Sequence, residues 1–353
     1  MIIQSDNIVC NPKVSVVIAT YNQVNYIEQT VLSALNQKTS FPFEVVVADD
    51  GSNDGERELL ESIYTKYQEK LRLIFNDKNL MVTLNYINAI HEARGEYVAT
   101  LDGDDYYLRE DVLQLLVDYL DNHNDVSLVH GGYRKFQSET GKVLSEYVTW
   151  DSPMLNTQGI DSACCVLLDD FSRYPLGSSS CFKRKLYVEG CKKYPQVIEC
   201  TKRFGEGTIL NISMGMAGKY GFIPQVLTAY RILPNSLSHF STNKERFQFN
   251  CNYVKAKIVS GKSLNLPLEV LNNIFKVLLR KLKYQAIDLN QLPMYYEELE
   301  NMLNGPYKND LSKVIGIKIP LFSKAMDYAE LLVTRPVYNL LKKIYVWFNN
   351  EYR

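Results

Sequence analysis

At 353 residues, with 46% hydrophobic and 22% charged content, the chain has the size and balance of one large or two modest globular domains. A formal net charge of -1 argues against a general polyanion binder, and seven cysteines without a CxxC pair argue against a zinc site or a disulfide framework and fit a reducing cytoplasm. Charge is unevenly spread. Arg246–Arg353 carries 16 Lys and Arg against 9 Asp and Glu, so an acidic first part and a basic tail predict two roles.

The opening residues, MIIQSDNIVCNPKVSV, lack a basic region followed by a long apolar run, so no signal peptide is predicted. No stretch of 18 apolar residues predicts a spanning helix. Lys13–Ala19 is a β-branched run suited to a central strand covered on both faces. Ile27, Val31, Leu32 and Leu35 recur at helical spacing and predict a helix over about Asn25–Asn36. Phe43–Ala48 reads as strand, Glu56–Tyr67 as helix, Leu71–Asn76 as strand, and Met81–Ala93 as a helix ended by Gly95. Tyr97–Leu101 is a fourth strand and Val112–Leu120 a fourth helix. This alternation predicts an α/β fold with a mainly parallel sheet.

Beyond Val126 the pattern loosens. Ser127–Gly131 and KYGFIPQVLTAYR read as strands, Thr208–Ala217 as helix, and the chain is helical from about Phe247. There is no internal repeat, and no nucleic-acid reader motif is present.

In such sheets ligands bind outside the carboxyl ends of the strands. Three polar clusters fall there: Thr20–Tyr21–Asn22, Asp49–Asp50–Gly51–Ser52 and Asp102–Gly103–Asp104–Asp105. Carboxylates this close raise one another's pKa unless positive charge sits between them. A divalent cation with oxygen ligands, Mg²⁺ or Mn²⁺, is the simplest such charge. A solvated acidic turn capping the next helix is the competing reading.

VSVVIATYNQVNYIEQTVLSALNQ, FEVVVADDGSNDG and NLMVTLNYINAIHEARGEYVATLDGDDYY together resemble the family 2 glycosyltransferases with the GT-A fold, of the bacterial surface-polysaccharide type, in order and spacing over residues 13 to about 120. A weaker match continues through SSSCFKRKLY and FGEGTILNISMGMAGKYGFIPQVLTAYR. The resemblance implies a catalytic domain over 1–240, with a nucleotide-binding half over about 13–125 and an acceptor-side half over about 126–240. A helical region over 241–353 would follow, making a membrane or dimer contact.

The implied activity is inverting transfer of a hexosyl or N-acetylhexosaminyl group from a nucleotide-diphospho-sugar, UDP-linked first, to a glycan or lipid-linked acceptor. By similarity, Ala19, Thr20 and Tyr21 hold the base, and Asp50 or its neighbour Asp49 accepts the base N–H. Asp102–Gly103–Asp104 is the D-x-D motif. Asp104 would hold Mn²⁺ or Mg²⁺ on the diphosphate, Asp102 would lie nearer the ribose and metal-bound water, and Asp105 would order the loop. Glu206, before a predicted helix, stands where the family places its general base, there often Asp. Tyr230–Arg231 matches the family's Tyr-Arg pair, with Arg231 suited to diphosphate.

Two departures stand out. Leu233 replaces the usual His, with His239 six residues further along, and Met81 replaces a common Gly. His130 and Trp150 are candidates on the acceptor side, Trp150 as a sugar-stacking ring, although a lone Trp is more often part of a core or an interface. In the tail, FKVLLRKLKY and YNLLKKIYVWF mix apolar and basic residues, as surface-lying membrane helices do and as packed or dimer-forming helices also do. The competing functions are a catalytically inactive carbohydrate-binding or scaffold protein and a nucleotidyltransferase. The nucleotidyltransferase would want a Gly-rich basic loop that TYNQVNYI lacks.

Overall fold

In the computed structural model, residues 1–168, 175, 177–202, 207–233 and 242–304 are described. The elements run β1 (Ile2–Ile3), β2 (Val14–Thr20), α1 (Ile27–Leu35), β3 (Phe43–Asp49), α2 (Glu56–Tyr67), β4 (Leu71–Phe75), α3 (Val82–Glu92) and β5 (Tyr97–Asp102). They continue through β6 (Tyr106–Tyr107), α4 (Val112–Asn122), β7 (Val126–Gln137), β8 (Val143–Tyr147), α5 (Ile160–Leu168), β9 (Ser180–Lys183), α6 (Arg184–Lys193) and α7 (Pro195–Thr201). The last are α8 (Gly207–Ala217), β10 (Lys219–Ile232), α9 (Asn243–Ser263), α10 (Leu268–Asp288) and α11 (Leu292–Asn304).

The strands join one sheet in the order β1, β4, β3, β2, β5, β9, β7, β10, β6, with β8 paired to β7. The block β4-β3-β2-β5 is parallel, as the alternating pattern predicts. Beyond it β9 runs antiparallel to both β5 and β7, while β7 and β10 are parallel, so the whole sheet is mixed. The parallel strands are continuous apolar runs because both faces are covered: every residue of β2 and β3 is buried. Val14, Val16 and Ile18 on one face pack with Val45, Val47, Leu71 and Leu73 against Ile27 and Val31 of α1, Leu60 of α2 and Leu116 of α4. Each such buried side chain contributes about 1.5–3 kcal/mol relative to exposure.

The chain divides into two compact units. The first is Met1–Phe240 with Asn252–Pro267, and the second Ser241–Cys251 with Leu268–Arg353. In the second, α10 packs on α11. Leu271, Ile274, Phe275, Leu278, Leu279 and Leu282 of α10 are buried, while Lys276, Arg280 and Lys281 are exposed. The apolar side of the FKVLLRKLKY stretch is therefore spent on packing. Among the described residues no helix is long and apolar enough to cross a membrane. The YNLLKKIYVWF stretch lies outside the described residues.

Candidate active site

The strand order reverses at β2, which has β3 on one side and β5 on the other. In open α/β sheets ligands bind outside the carboxyl ends of the strands at such a switch. The register sets Ala19 beside Asp102 and Thr20 beside Asp49, so all three polar clusters meet at one edge. Backbone bonds join them: Gly103 N donates to Ala19 O at 3.1 Å and Asp50 N to Thr20 O at 3.0 Å.

The two carboxylates after β3 are in different situations. Asp49, fully buried, accepts from Arg57 Nε at 2.6 Å and from Ser52 N at 3.1 Å. Asp50 uses only Oδ1, accepting from Asn76 Nδ2 at 3.0 Å and Leu80 N at 2.8 Å; Oδ2 has no hydrogen-bond partner among the described residues. Of the pair, Asp50 keeps an oxygen for a ligand donor. Tyr21, one residue past buried Thr20 at the end of β2, is 45% exposed.

Glu56 is a site-building residue that the motif reading missed. It is buried at the start of α2 and accepts from the Thr20 hydroxyl, from Gln23 N at 2.8 Å and from Ser52 Oγ at 3.0 Å. Burial pushes its carboxyl up, against those donors. It ties the β2 and β3 loops together. Its position three residues past Asn53 gave only a helix-start signal.

Asp102 is held at both oxygens. Tyr86 of α3 donates to Oδ1 at 2.6 Å and Ser178 to Oδ2 at 3.0 Å. Gly103 is fixed by Thr30 of α1, whose hydroxyl donates to the Gly103 carbonyl at 2.8 Å. A Cβ at Gly103 would stand 2.5 Å from Thr20 Oγ1 and 2.7 Å from Thr20 Cβ, so the glycine is required by the packing of the two loops. Burial first, and then the Asp102 charge, push Asp104 up to about 7, against the opposing pull of Arg231. Asp105 is buried; its Oδ1 accepts from Arg231 N at 2.8 Å and its Oδ2 has no partner. Burial and the charges of Asp104 and Asp102 raise it well above the ordinary range, and burial raises Asp102 as well.

Among the described residues, no group of three or more His, Cys, Asp or Glu side chains forms a metal cage. The donor set nevertheless fits Mn²⁺ or Mg²⁺, which reach proteins through one or two carboxylates plus substrate phosphates. Three carboxyl groups crowd one another here, and an orphaned buried oxygen on Asp105 shows that the chain offsets their charge only in part.

Arg231 lies against the same loop. Nε donates to the Asp104 carbonyl at 2.8 Å and one Nη to Gln29 Oε1 at 2.8 Å, and the guanidinium sits 4.7 Å from the Tyr26 ring and 4.8 Å from the Phe136 ring. Its fork is occupied by protein partners, so in this conformation it braces the D-x-D loop.

Glu206 and His239 lie outside the described residues. His130 is buried, with burial pushing its imidazole down to about 3 and Nε2 left without a partner. It meets the Trp150 ring edge-on at 4.4 Å, and Trp150 also lies 5.9 Å from Tyr220 and 6.4 Å from Phe222. These contacts make His130 and Trp150 members of an aromatic packing cluster.

Residues 15–183 match the model of the family described as Glycosyl transferase family 2. An uncharacterised protein of Mycobacterium tuberculosis is 35% identical over 114 residues, 32% of this chain and 33% of that protein. TuaG of Bacillus subtilis, named as a teichuronic acid biosynthesis glycosyltransferase, is 31% identical over 153 residues, 41% of this chain and 58% of TuaG. The chain thus covers less than two-thirds of these curated relatives. Among solved structures, TarS residues 1–349 of S. aureus in complex with UDP-GlcNAc superposes with a TM-score of 0.57 at 17% identity, over 82% of this chain and 80% of that one. The mannosyltransferase PcManGT of Pyrobaculum calidifontis, in complex with GDP-Man and Mn²⁺, gives 0.50 at 16% identity, over 95% and 84%. The shared fold is GT-A-like.

Proposed function

We propose, for a chain of GT-A-like fold whose residues 15–183 match the family 2 glycosyltransferase model, that the protein transfers a sugar from a UDP-linked donor to a hydroxyl of a glycan or lipid-linked acceptor in bacterial surface-polysaccharide synthesis. One observation carries this reading: Asp50, with an unused oxygen, and the Asp102–Gly103–Asp104 turn meet at the switch point of the sheet. The names of TarS, with its UDP-GlcNAc, and of TuaG support the donor and the setting.

In this reading the base N–H meets Asp50 Oδ2, and Tyr21 stacks on the ring. Asp104, with Asp102 beside it, would hold Mn²⁺ or Mg²⁺; when bound, the ion supplies positive charge against the departing diphosphate. Glu206, immediately before α8, takes the proton of the acceptor hydroxyl as that oxygen bonds to the anomeric carbon. The bond from that carbon to the diphosphate breaks on the opposite face, its electron pair leaving with the nucleotide, and the configuration inverts. The exposed cations of α10 add an electrostatic contact with an anionic membrane, without insertion of its buried apolar side.

Calorimetric titration with UDP, GDP, dTDP and CMP, each with Mn²⁺ and with EDTA, tests the reading. Mn²⁺-dependent binding of UDP, lost in Asp104→Asn, is expected; binding of no nucleotide would sink it. Glu206→Gln should keep UDP binding and lose transfer.

A further inference from the structure

Lys135 of β7 has an environment that the donor site does not use. Its Nζ stands 5.8 Å from the ring centre of Tyr133, 5.2 Å from that of Tyr147 and 5.6 Å from that of Tyr230. The registers explain the box. Tyr133 pairs with Tyr147 of β8, and Lys135 pairs with Tyr230 of β10. Residues two apart on a strand share a face, so three strands bring their side chains to one patch. Tyr133 and Tyr147 stack at 4.6 Å with 18° between their planes, and Tyr230 closes the third side at 6.2 Å from Tyr133.

The ammonium in this box has no hydrogen bond and no ion pair among the described residues. Its neighbour Arg134 is different, bonded to Glu146 at 2.6 Å. Lys135 is half-buried. Ring faces attract a cation but do not neutralise it, so an uncompensated positive charge remains. The rings cannot supply the missing anion as phenolates: burial pushes the Tyr133 hydroxyl up to about 12 and raises Tyr230 further. The box also limits the rotamers of a long side chain, so an arriving anion meets a positioned ammonium. The patch adjoins the donor carboxylates, since Tyr230 precedes Arg231, whose Nε holds the Asp104 carbonyl, and Asp105, Asp102 and Asp104 all act on the Tyr230 hydroxyl. Tyr147 is 39% exposed, so the patch is reachable.

We propose that Lys135, with Tyr133, Tyr147 and Tyr230, is a saccharide subsite that selects a sugar carrying an anionic group, a carboxylate or a phosphate. The ammonium takes the anion and the tyrosine rings take an apolar sugar face. The subsite rests on the glycosyltransferase reading for its place beside the donor. The anion belongs either to the acceptor or to the transferred sugar.

The test uses the full chain with Mn²⁺. One arm loads it with UDP and titrates a hyaluronan tetrasaccharide, glucose 6-phosphate and neutral chitotetraose. A second arm compares UDP-glucuronate with UDP-glucose. In one of the arms the anionic probe should bind about tenfold more tightly than its neutral counterpart. Lys135→Met should reduce that preference to within about twofold, and Lys135→Arg should retain it. Loss in the first arm assigns the anion to the acceptor, and loss in the second to the donor sugar. No anionic preference in either arm, or a preference that survives Lys135→Met, overturns the subsite. If UDP itself fails to bind while a Lys135-dependent preference persists, the donor reading fails and the subsite stands.

Discussion

Arg231 and Asp105 are bound to each other across 126 residues of chain. The Arg231 N–H donates to Asp105 Oδ1 at 2.8 Å, and the Arg231 side chain returns to the Asp104 carbonyl at 2.8 Å. The last long strand thus clamps the D-x-D loop by backbone and side chain together. Replacing Arg231 by Gln keeps the backbone bond and removes the charged one. A hydrogen bond from a charged donor is worth about 1.5–3 kcal/mol, less where solvent reaches it. Arg231→Gln should lower stability by roughly 1–2 kcal/mol. It should also weaken Mn²⁺-dependent UDP binding. Chemical denaturation and calorimetry check both, and unchanged UDP affinity would show that the clamp does not matter to the site.

The acidic loop should make the apo protein sensitive to pH. The Asp104 carboxyl is raised from the ordinary 3.8 to about 7. Between those values the folded chain retains a proton that the unfolded chain has lost, so this group lowers stability as pH rises from about 4 to 7, with the full penalty above 7. A cation competes for the same carboxylate. Mn²⁺ should therefore raise the melting temperature more at pH 8 than at pH 5.5. UDP affinity in Mn²⁺ should be about tenfold weaker at pH 6 than at pH 8, because one pH unit below the pKa leaves about a tenth of the group ionised. Melting curves and titrations at these pH values decide it; a flat profile would remove Asp104 from the metal site.

Gly103 gives a steric test of how closely the first and third clusters are joined. Gly103→Ala places a methyl within 2.7 Å of Thr20 Cβ, and Thr20 is tied in turn to Glu56. Overpacking of this kind costs about 1–3 kcal/mol. The variant should melt earlier and bind UDP more weakly, whereas a variant that binds and melts as the parent would mean that the loops separate without cost.

The parallel half of the sheet is legible in the sequence because its physics is local. β2, β3 and β5 are apolar runs ending in polar clusters, and the carboxyl-end rule gathers those clusters before any contact is known. What escapes the sequence is long-range. Nothing local marks Ser178 as the residue that holds Asp102 from 76 residues away, or Tyr86 as its second donor. β7 reads as a short strand over Ser127–Gly131 because Gly131–Gly132 interrupts the β-prone run, yet it continues to Gln137 along β10 and β8. That extension builds the Lys135 box, which sequence reading therefore misses. Trp150 is the converse: a lone aromatic reads more readily as packing than as a sugar platform, and Tyr220 and Phe222 lie around it.

Met81 is the departure with the clearest physical consequence. It sits at φ 72° and ψ 155° at the start of α3, a conformation that side chains with a Cβ rarely adopt. Glycine takes it without steric cost, which gives a reason for the glycine common in similar sequences. The residue before it, Leu80, donates its N–H to Asp50 Oδ1, so the strained link borders the Asp50 carboxylate proposed to meet the base. Strain of this type costs about 1–3 kcal/mol, and the extra freedom of glycine in the unfolded chain takes back about 0.4–1 kcal/mol. Met81→Gly should therefore stabilise the protein by roughly 1 kcal/mol, seen as a rise of about 2 °C in melting temperature. Met81→Ala keeps the strain and removes the 39% exposed side chain, so it should leave the melting temperature nearly unchanged. Comparing UDP affinity across the two separates the roles. If only Met81→Gly changes it, backbone geometry at Leu80 sets the Asp50 position; if both change it equally, the methionine side chain itself touches the base.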